Sequence, residues 1–356
     1  MDATSVYVAL EDVSRDGEER DGEEGVAKSE PATLVALNRQ TGATRWTVPI
    51  ASRLPPVATH GAVVVATAKG IEALDPEQGH PRWMVALDRP VRAPMIAQDS
   101  LLLAVLEGDE VVAIHLDRHQ IVWRRSIGES GPVSLAANEE AVYVATAGSR
   151  IMRVQLDDGD IDWELRLEGE LTEPVVDRDR VFVGSGANLG SFWAIDVRTG
   201  KPRWAHRGKI FGGAVVGAAV KDDTVYVVSK DSIVRGLERG DGGQRWKSAA
   251  GSRPILPPQL LERVVVVTGT GVGPALATFR TDTGAAISTW PAPADGVLVG
   301  RPLIDEPAPF RVSVVVVFRD GQAMGLRSTA MLFKEPALAP FTALPGRSLP
   351  RETLER

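Results

Sequence analysis

The most apolar stretches of the chain are short runs of five to seven residues that return about every 40 residues. Near-continuous apolar character over so short a length predicts strands that are buried on both faces. We call these strands B. There are eight of them, at 6–10, 63–68, 101–106, 142–147, 181–185, 225–229, 264–268 and 312–318.

Three further short segments surround each B strand in a constant order. Strand A precedes B, often near proline, at 56–57, 92–97, 132–136, 174–176, 213–218, 254–259 and 300–304. Strand C follows B and carries residues of the Ala-Leu-Asp type, and strand D begins near a tryptophan. Helical periodicity is absent, so the sequence predicts an all-β fold. Four short strands per repeat predict an eight-bladed β-propeller of four-stranded antiparallel blades.

The turn between strands C and D is clearest at 194–204, which reads Ala-Ile-Asp-Val-Arg-Thr-Gly-Lys-Pro-Arg-Trp. Asp196 can cap a tight turn, and Gly200 supplies the positive φ that such a turn needs. Trp204 opens the next strand. A blade cannot bury both of its faces alone, so we expect each such tryptophan to pack against a neighbouring blade.

The same tryptophan-docking pattern recurs along the chain at intervals of 37, 40, 40, 41, 42 and 44 residues. In the third copy His119 stands where the other copies have glycine. The predicted docking residues are Trp46, Trp83, Trp123, Trp163, Trp204, Trp246 and Trp290, with Gly42, Gly79, Gly159, Gly200, Gly242 and Gly284.

The repeat crosses every possible domain boundary, so we predict one domain over 1–344 followed by a polar tail at 345–356. Residues 11–31 interrupt the first hairpin as an acidic insertion that we expect to be disordered. Within 11–30 nine acids face three bases, a net charge of −6 out of −7 for the chain. Because the other residues are close to neutral with mixed signs, the charge does not indicate a nucleic-acid partner.

The two ends of the chain depart from the repeat. The first blade starts without its own strand A. One hypothesis is that 339–344 fill this position and close the ring after 330–334 have served as the last strand D. The alternative is that native residues before Met1 supply the strand and that 335–356 form a loose tail.

Three motifs resemble ligand sites, and each has a simpler interpretation. The glycine-rich stretch 184–190 lies between two strands and lacks the helix that a dinucleotide fingerprint needs. His115 and His119 lie at a strand end and in a turn rather than on a helix, which disfavours a zinc pair. Residues 157–160 lack the spaced acids and closing glutamate of a calcium-binding EF-hand loop and read as an Asp-Gly turn.

Phe192 and Trp193 form the only aromatic pair outside the docking series. Two hypotheses compete for them: ordinary packing, which we favour, or an exposed contact with a partner protein. The chain offers no nucleophile elbow, no triad and no cysteine, so we predict no catalytic residues and no metal ligands.

The recurring Ala-x-Asp-x-x-Thr-Gly-x-x-x-Trp pattern resembles the docking motif of pyrroloquinoline quinone (PQQ)-type eight-bladed propellers. Length and blade count are most similar to the BamB family, a lipoprotein subunit of the outer-membrane β-barrel assembly machinery. The resemblance covers roughly 1–335. It implies a non-catalytic scaffold that binds other proteins, such as an outer-membrane assembly subunit, through loops on the propeller faces. It also implies a periplasmic or cell-envelope location, with an N-terminal anchor outside this chain, and we expect a monomer.

Two alternatives remain open on the same fold. Enzymes of the PQQ-dependent dehydrogenase class resemble it, but they commonly carry an adjacent cysteine pair and calcium ligands that this sequence lacks, so we predict no cofactor. The second alternative is the ligand-sensing ectodomain of a membrane receptor.

In the BamB family an arginine-containing loop between blades contacts the barrel-forming subunit. The corresponding connectors here, 128–131 and 168–173, are acidic, so no partner residue can be transferred.

Overall fold

The computed structural model describes residues 5–11, 32–38, 43–50, 52, 54–59, 61–129, 131–186, 190–207, 211–291, 298, 301–308, 311–317, 323–327 and 342–343. Within these ranges the regular structure is entirely β-strand, and it forms eight antiparallel sheets. The described residues divide into two compact units that meet in sequence between Gly128 and Glu129. The single domain over 1–344 stays a prediction. No helix in the described part of the chain is long and apolar enough to cross a membrane.

The first unit holds three sheets, whose strands follow one another in chain order. Sheet 1 contains β1 (Ser5–Glu11), β2 (Ala32–Asn38) and β3 (Thr44–Ile50). Sheet 2 contains β4 (Val57–Thr59), β5 (Ala62–Thr67), β6 (Gly70–Leu74) and β7 (Pro81–Ala86). Sheet 3 contains β8 (Ile96–Gln98), β9 (Leu101–Leu106), β10 (Glu110–His115) and β11 (Gln120–Ser126).

The second unit begins with three sheets of four strands each. Sheet 4 contains β12 (Val133–Ala137), β13 (Ala141–Thr146), β14 (Arg150–Gln155) and β15 (Ile161–Arg166). Sheet 5 contains β16 (Val175–Asp177), β17 (Arg180–Gly184), β18 (Ser191–Asp196) and β19 (Pro202–Arg207). Sheet 6 contains β20 (Val215–Lys221), β21 (Thr224–Ser229), β22 (Ile233–Glu238) and β23 (Gln244–Ala249).

Two further sheets complete the second unit. In sheet 7 the first strand is split by prolines into β24 (Arg253–Pro254) and β25 (Gln259–Leu260), which both pair with β26 (Val264–Thr270); β27 (Pro274–Arg280) and β28 (Ala286–Pro291) follow. Sheet 8 contains β29 (Leu303–Ala308), β30 (Arg311–Val317), β31 (Ala323–Arg327) and β32 (Thr342–Ala343).

Each four-stranded sheet has the form of a propeller blade, with the strands A to D of the sequence repeat side by side. The B strands are the buried centre: every described side chain of β13 and β21 is buried, as the apolar runs predict. Alternate side chains of β21 form clusters with sheet 5 on one face and with sheet 7 on the other, and β13 packs one face against sheet 5. Packing between neighbouring sheets therefore provides the hydrophobic core.

The C-terminal segment pairs with a different sheet from the one that the sequence predicted. Thr342–Ala343 pairs with β31 through Arg327↔Thr342 and Leu326↔Ala343, so it is the fourth strand of sheet 8. The hypothesis that 339–344 supply strand A of the first blade is wrong, because this segment extends the hairpin that directly precedes it. Glu11, predicted as the first residue of the acidic insertion 11–31, is instead the last residue of β1 and pairs with Ala32. Residues 12–31 of the insertion, residues 330–334 and the polar tail lie outside the described residues.

A β-bulge interrupts strand D at the residue before the docking tryptophan, and the sequence pattern did not reveal it. In sheet 5, for example, Ala194 pairs with Trp204 and Ile195 with Pro202, which leaves Arg203 as the extra residue. The same shift places Arg82 and Arg245 at the bulges of sheets 2 and 6. A bulge turns the extra side chain away from the ladder, which directs each of these arginines towards the turn of its own hairpin.

Candidate functional site

The docking tryptophans join consecutive sheets through the turn between strands C and D. The indole Nε1 of Trp204 in sheet 5 donates a hydrogen bond of 2.9 Å to the carbonyl oxygen of Arg239 in sheet 6. The same contact recurs in three other places within the two units: Trp46 to Pro76, Trp163 to Val197 and Trp246 to Thr281. In sheets 5 to 7 the acceptor is the residue directly after strand C, and in sheet 2 it is the second residue after that strand.

The turn glycine of the following sheet lies flat against the same indole. Gly200 has φ +67°, and a Cβ added there would lie 2.7 Å from Cδ2 of the Trp163 ring. Gly79 faces Trp46, Gly242 faces Trp204 and Gly284 faces Trp246 in the same way. Gly159 also has positive φ, at +76°. Gly42 lies outside the described residues. The glycine is required both by the backbone conformation and by the ring above it.

His119 takes the place of this glycine in sheet 3. Its φ is +53°, and its imidazole stacks on the indole of Trp83 with ring centroids 4.6 Å apart. The neighbouring His115 uses Nδ1 to accept a hydrogen bond of 3.2 Å from the Asp117 amide. The two imidazoles therefore make different local contacts.

The remaining docking tryptophans, Trp123 and Trp290, are each 7% exposed. Trp83, Trp163 and Trp204 are only partly buried. Trp193, the tryptophan outside the series, is more deeply buried than any of these three.

Phe192 and Trp193 are both buried, with 0% and 1% of their surfaces exposed. They are adjacent on β18, so their side chains point to opposite faces of sheet 5. Trp193 packs in a cluster with Tyr143 of sheet 4, and Phe192 packs with Phe211 and Val215 towards sheet 6. The hypothesis of an exposed partner contact at these residues is therefore wrong, because neither ring reaches the surface.

The acid at the end of strand C is held by the bulged arginine of strand D. Arg203 Nε donates a hydrogen bond of 3.0 Å to Asp196 Oδ2, while Asp196 Oδ1 accepts from the Thr199 amide at 2.9 Å. Burial raises the pKa of Asp196, but the hydrogen bonds from Arg203 and Thr199 outweigh it and lower the pKa to about 2. The ion pairs Arg82–Asp75 and Arg245–Glu238 repeat this arrangement.

Asp196→Asn is expected to lower the free energy of unfolding by about 1 to 2 kcal/mol at neutral pH. A carboxyl with a depressed folded pKa stabilises the protein above its unfolded pKa of 3.8, and this contribution is lost as the pH falls towards about 2. Urea unfolding between pH 2 and 7 measures it. Arg203→Gln should give a similar loss, and the double variant should add little to either; fully additive losses would show that the two side chains are not coupled.

The end of each sheet that lies opposite the C-to-D turn carries the connector from the preceding strand D and the turn between strands B and C. In an antiparallel sheet both lie at the end where strand A begins. We call the exposed surface formed by connectors 167–174 and 250–252 with turns 147–149, 230–232 and 271–273 the connector face. It belongs to sheets 4 to 7 of the second unit.

The charge of the connector face is concentrated in connector 167–174, which holds Glu168, Glu170 and Glu173 and no base. Turn 230–232 holds Lys230 and Asp231, and the other three segments of the face carry no charge. Glu173 forms an ion pair with Arg301. The face is therefore acidic along connector 167–174.

Between sheets 6 and 7 the connector face contains a cleft of about 630 Å³. We call it the tip cleft. Its lining comprises Asp231, Ser232, Ile233, Ala249, Gly251, Ser252, Arg253, Thr270, Gly271 and Val272. Metal ligands do not converge in the described residues, where no three His, Asp or Glu side chains come together as an ion site.

Comparison with known proteins identifies the repeat. A family model described as outer membrane protein assembly factor BamB matches residues 30–119 and 107–254. Two curated relatives, both named outer membrane protein assembly factor BamB, are each 25% identical. The protein of Moranella endobia matches over 68% of this chain and 56% of its own length, and that of Yersinia pestis over 76% and 62%. The chain thus spans less than two thirds of the length of either relative.

Solved structures share the fold. BamB from Moraxella catarrhalis superposes with a TM-score of 0.60 at 16% identity, over 85% of this chain and 94% of that one. The computationally designed protein Ika8 gives 0.64 at 14% identity, over 82% and 86%. Because the family model covers more than half of the residues and the sheets have the same blade form, the chain belongs to the BamB family of PQQ-like repeat proteins.

Proposed function

We propose that this protein is a non-catalytic scaffold of the cell envelope that supports outer-membrane protein assembly by binding other assembly proteins. The match of the BamB family model over 30–254 carries this proposal, since both curated relatives bear that function in their names. The docking contacts engage the recurring tryptophans and glycines between sheets, which leaves the other turns and the connectors as the surfaces available for binding.

The connector face is the surface best suited to this role. Its turns project beyond the sheets, its connector 167–174 carries three acids, and it holds the tip cleft. A cluster of like charge steers and orients an incoming protein even when single surface charges add little affinity. The other end of the sheets is occupied by the C-to-D turns, which the docking tryptophans already use to join neighbouring sheets.

Deletion of the gene in its source organism is expected to lower the amount of outer-membrane β-barrel proteins, measured by quantitative proteomics of isolated outer membranes. Restoring the full chain should restore them. Unchanged levels after deletion would contradict the assembly role.

Site-specific crosslinking then tests the face. A photo-crosslinking residue at the exposed position Glu170, on the connector face, should capture an outer-membrane assembly protein identified by mass spectrometry. The matched probe at the exposed position Lys201, on a C-to-D turn, should not. Capture of the same protein from Lys201 alone would place the contact at the other end of the sheets.

A further inference from the structure

The junction of sheets 2 and 3 departs from the docking pattern. The C-to-D turn of sheet 3 differs from that of sheet 5 at four recurring positions: His115 replaces the acid, Arg118 the threonine, His119 the glycine and Val122 the bulged arginine. The turn keeps its backbone path, since the His119 amide still donates a hydrogen bond of 2.9 Å to the His115 carbonyl. The departure therefore lies in the side chains.

The imidazole of His119 separates this turn from the tryptophan of sheet 2. At Gly200, the equivalent position of sheet 5, an added Cβ would lie 2.7 Å from the Trp163 ring, about 1 Å closer than carbon atoms pack in contact. A turn with a side chain at this position must therefore stand further from the indole. In sheet 3 the imidazole fills the gap, with its centroid 4.6 Å from that of Trp83.

The Trp83 indole lacks the hydrogen bond that four other docking tryptophans donate to the next sheet. The equivalent acceptor in sheet 3 is the carbonyl of Leu116, directly after β10. Trp83 Nε1 donates to no residue that the structure describes. It is not among the buried polar atoms without a partner, so it is accessible to solvent. The added distance thus leaves an unused donor at this junction.

A cleft of about 500 Å³ lies at the same junction. We call it the junction cleft. Trp83 lines it from sheet 2, and Leu116, Asp117 and His119 line it from sheet 3, together with Asp99 and the A-to-B turns of both sheets. The two residues that would form the docking bond therefore lie on one cavity. Its volume falls in the range of clefts that bind small ligands or a few residues of a peptide.

The charge that remains free in the junction cleft is negative. Its arginine, Arg82, is neutralised within sheet 2, because Nε and Nη2 donate hydrogen bonds of 3.1 and 2.6 Å to Asp75 Oδ2. Asp99 and Asp117 are exposed, and neither forms an ion pair with a described residue. Arg118 of the same turn does not line the cleft. The cleft thus combines an unused indole donor with two carboxylates that have no cationic partner.

We propose that the junction cleft binds a short segment of a partner protein that carries a basic residue. A main-chain carbonyl of the segment accepts the Trp83 hydrogen bond, and the basic side chain pairs with Asp99 and Asp117. The carbonyl is the expected group, because main-chain carbonyls bind the indole N–H at four other junctions of this chain. This inference rests on the proposed scaffold function and adds a second contact, at the end of the sheets opposite the connector face.

The experiment follows the indole N–H signals of the full chain by NMR after isotope labelling of tryptophan, with the Trp83 signal assigned through Trp83→Phe. The probe is an end-capped Gly-Gly-Lys-Gly-Gly peptide, and its control carries glutamate in place of lysine. We expect the lysine peptide to shift the Trp83 signal saturably and the glutamate peptide to bind at least about fivefold more weakly. Equal affinities, or no saturable shift up to about 10 mM lysine peptide, would overturn the proposal.

Variants locate the interaction, with affinities measured by fluorescence anisotropy of the labelled lysine peptide. Trp83→Phe removes the donor and should weaken binding about three- to tenfold, whereas Trp204→Phe, at an indole that is already bonded, should not. Asp117→Asn should weaken binding about two- to fivefold. Asp157→Asn, at the equivalent exposed position of sheet 4, should leave it unchanged. Circular dichroism checks folding. Unchanged binding by both Trp83→Phe and Asp117→Asn would overturn the proposed site.

His119→Gly tests the role of the imidazole. With glycine restored, the turn should approach Trp83, and the Leu116 carbonyl should take its N–H. We expect exchange of the Trp83 indole proton with solvent to slow at least about tenfold and the lysine peptide to lose its binding. Slower exchange with binding retained would show that the N–H is not used and would overturn the proposal.

Two further outcomes separate this site from other interpretations. A shift of the Trp83 signal by N-acetylglucosamine but not by the lysine peptide would assign the junction cleft to a sugar and overturn the proposal. A failed peptide assay together with a positive gene-deletion phenotype would refute the junction cleft alone and leave the assembly role intact.

Discussion

Trp193→Ala is expected to lower the free energy of unfolding by about 3 to 5 kcal/mol, the usual cost of removing a fully buried tryptophan. The ring is 1% exposed and packs between β18 of sheet 5 and the cluster around Tyr143 of sheet 4. Its removal leaves a cavity that the rigid strands on both sides cannot close. Urea denaturation followed by circular dichroism measures the loss.

Trp204→Ala is the matched comparison on the same sheet. Its indole is partly exposed, so less apolar surface is lost, although the hydrogen bond to the Arg239 carbonyl also disappears. We expect a smaller cost, about 2 to 3 kcal/mol. A larger loss for Trp204 than for Trp193 would show that the docking bond between sheets matters more than burial.

Gly200→Ala is expected to cost about 2 to 4 kcal/mol, an unusually large effect for adding one methyl group. Two terms add up. The backbone at φ +67° disfavours any side chain, and the new Cβ would lie 2.7 Å from the Trp163 ring. The indole must shift, which weakens its hydrogen bond to Val197 and loosens the junction of sheets 4 and 5. Thermal and urea unfolding both measure this loss.

Substitutions at two other glycines distinguish the cost of the backbone conformation from the cost of the ring contact. Gly271 has φ +88° with no heavy atom within 4 Å of an added Cβ, so Gly271→Ala should show the backbone cost alone, about 1 kcal/mol. Gly240 has neither a positive φ nor a close neighbour, so Gly240→Ala should change stability by less than about 0.5 kcal/mol. If Gly200→Ala costs no more than Gly271→Ala, the contact with Trp163 contributes nothing.

The sequence by itself determined the blade. Runs such as 101–106 and 264–268 are apolar on both faces, and only a strand between two covered faces can use them, so their position and burial were predictable. The spacing of the tryptophans and the Asp-x-x-Thr-Gly turn predicted the hairpin between strands C and D, because tight turns allow few residue types. Repetition strengthened every local prediction, since each copy had to satisfy the same geometry.

The tertiary structure decided what depends on the neighbouring sheet. Phe192 and Trp193 carry no sequence signal that separates a buried ring from an exposed one, and only the approach of sheets 4 and 6 buries both. The position of Thr342–Ala343 depended on which strand edge was nearest, a question of distance that periodicity does not address. The tip cleft likewise joins residues about 40 positions apart. Local chemistry fixes each strand and turn, whereas contacts between sheets depend on how the repeats pack.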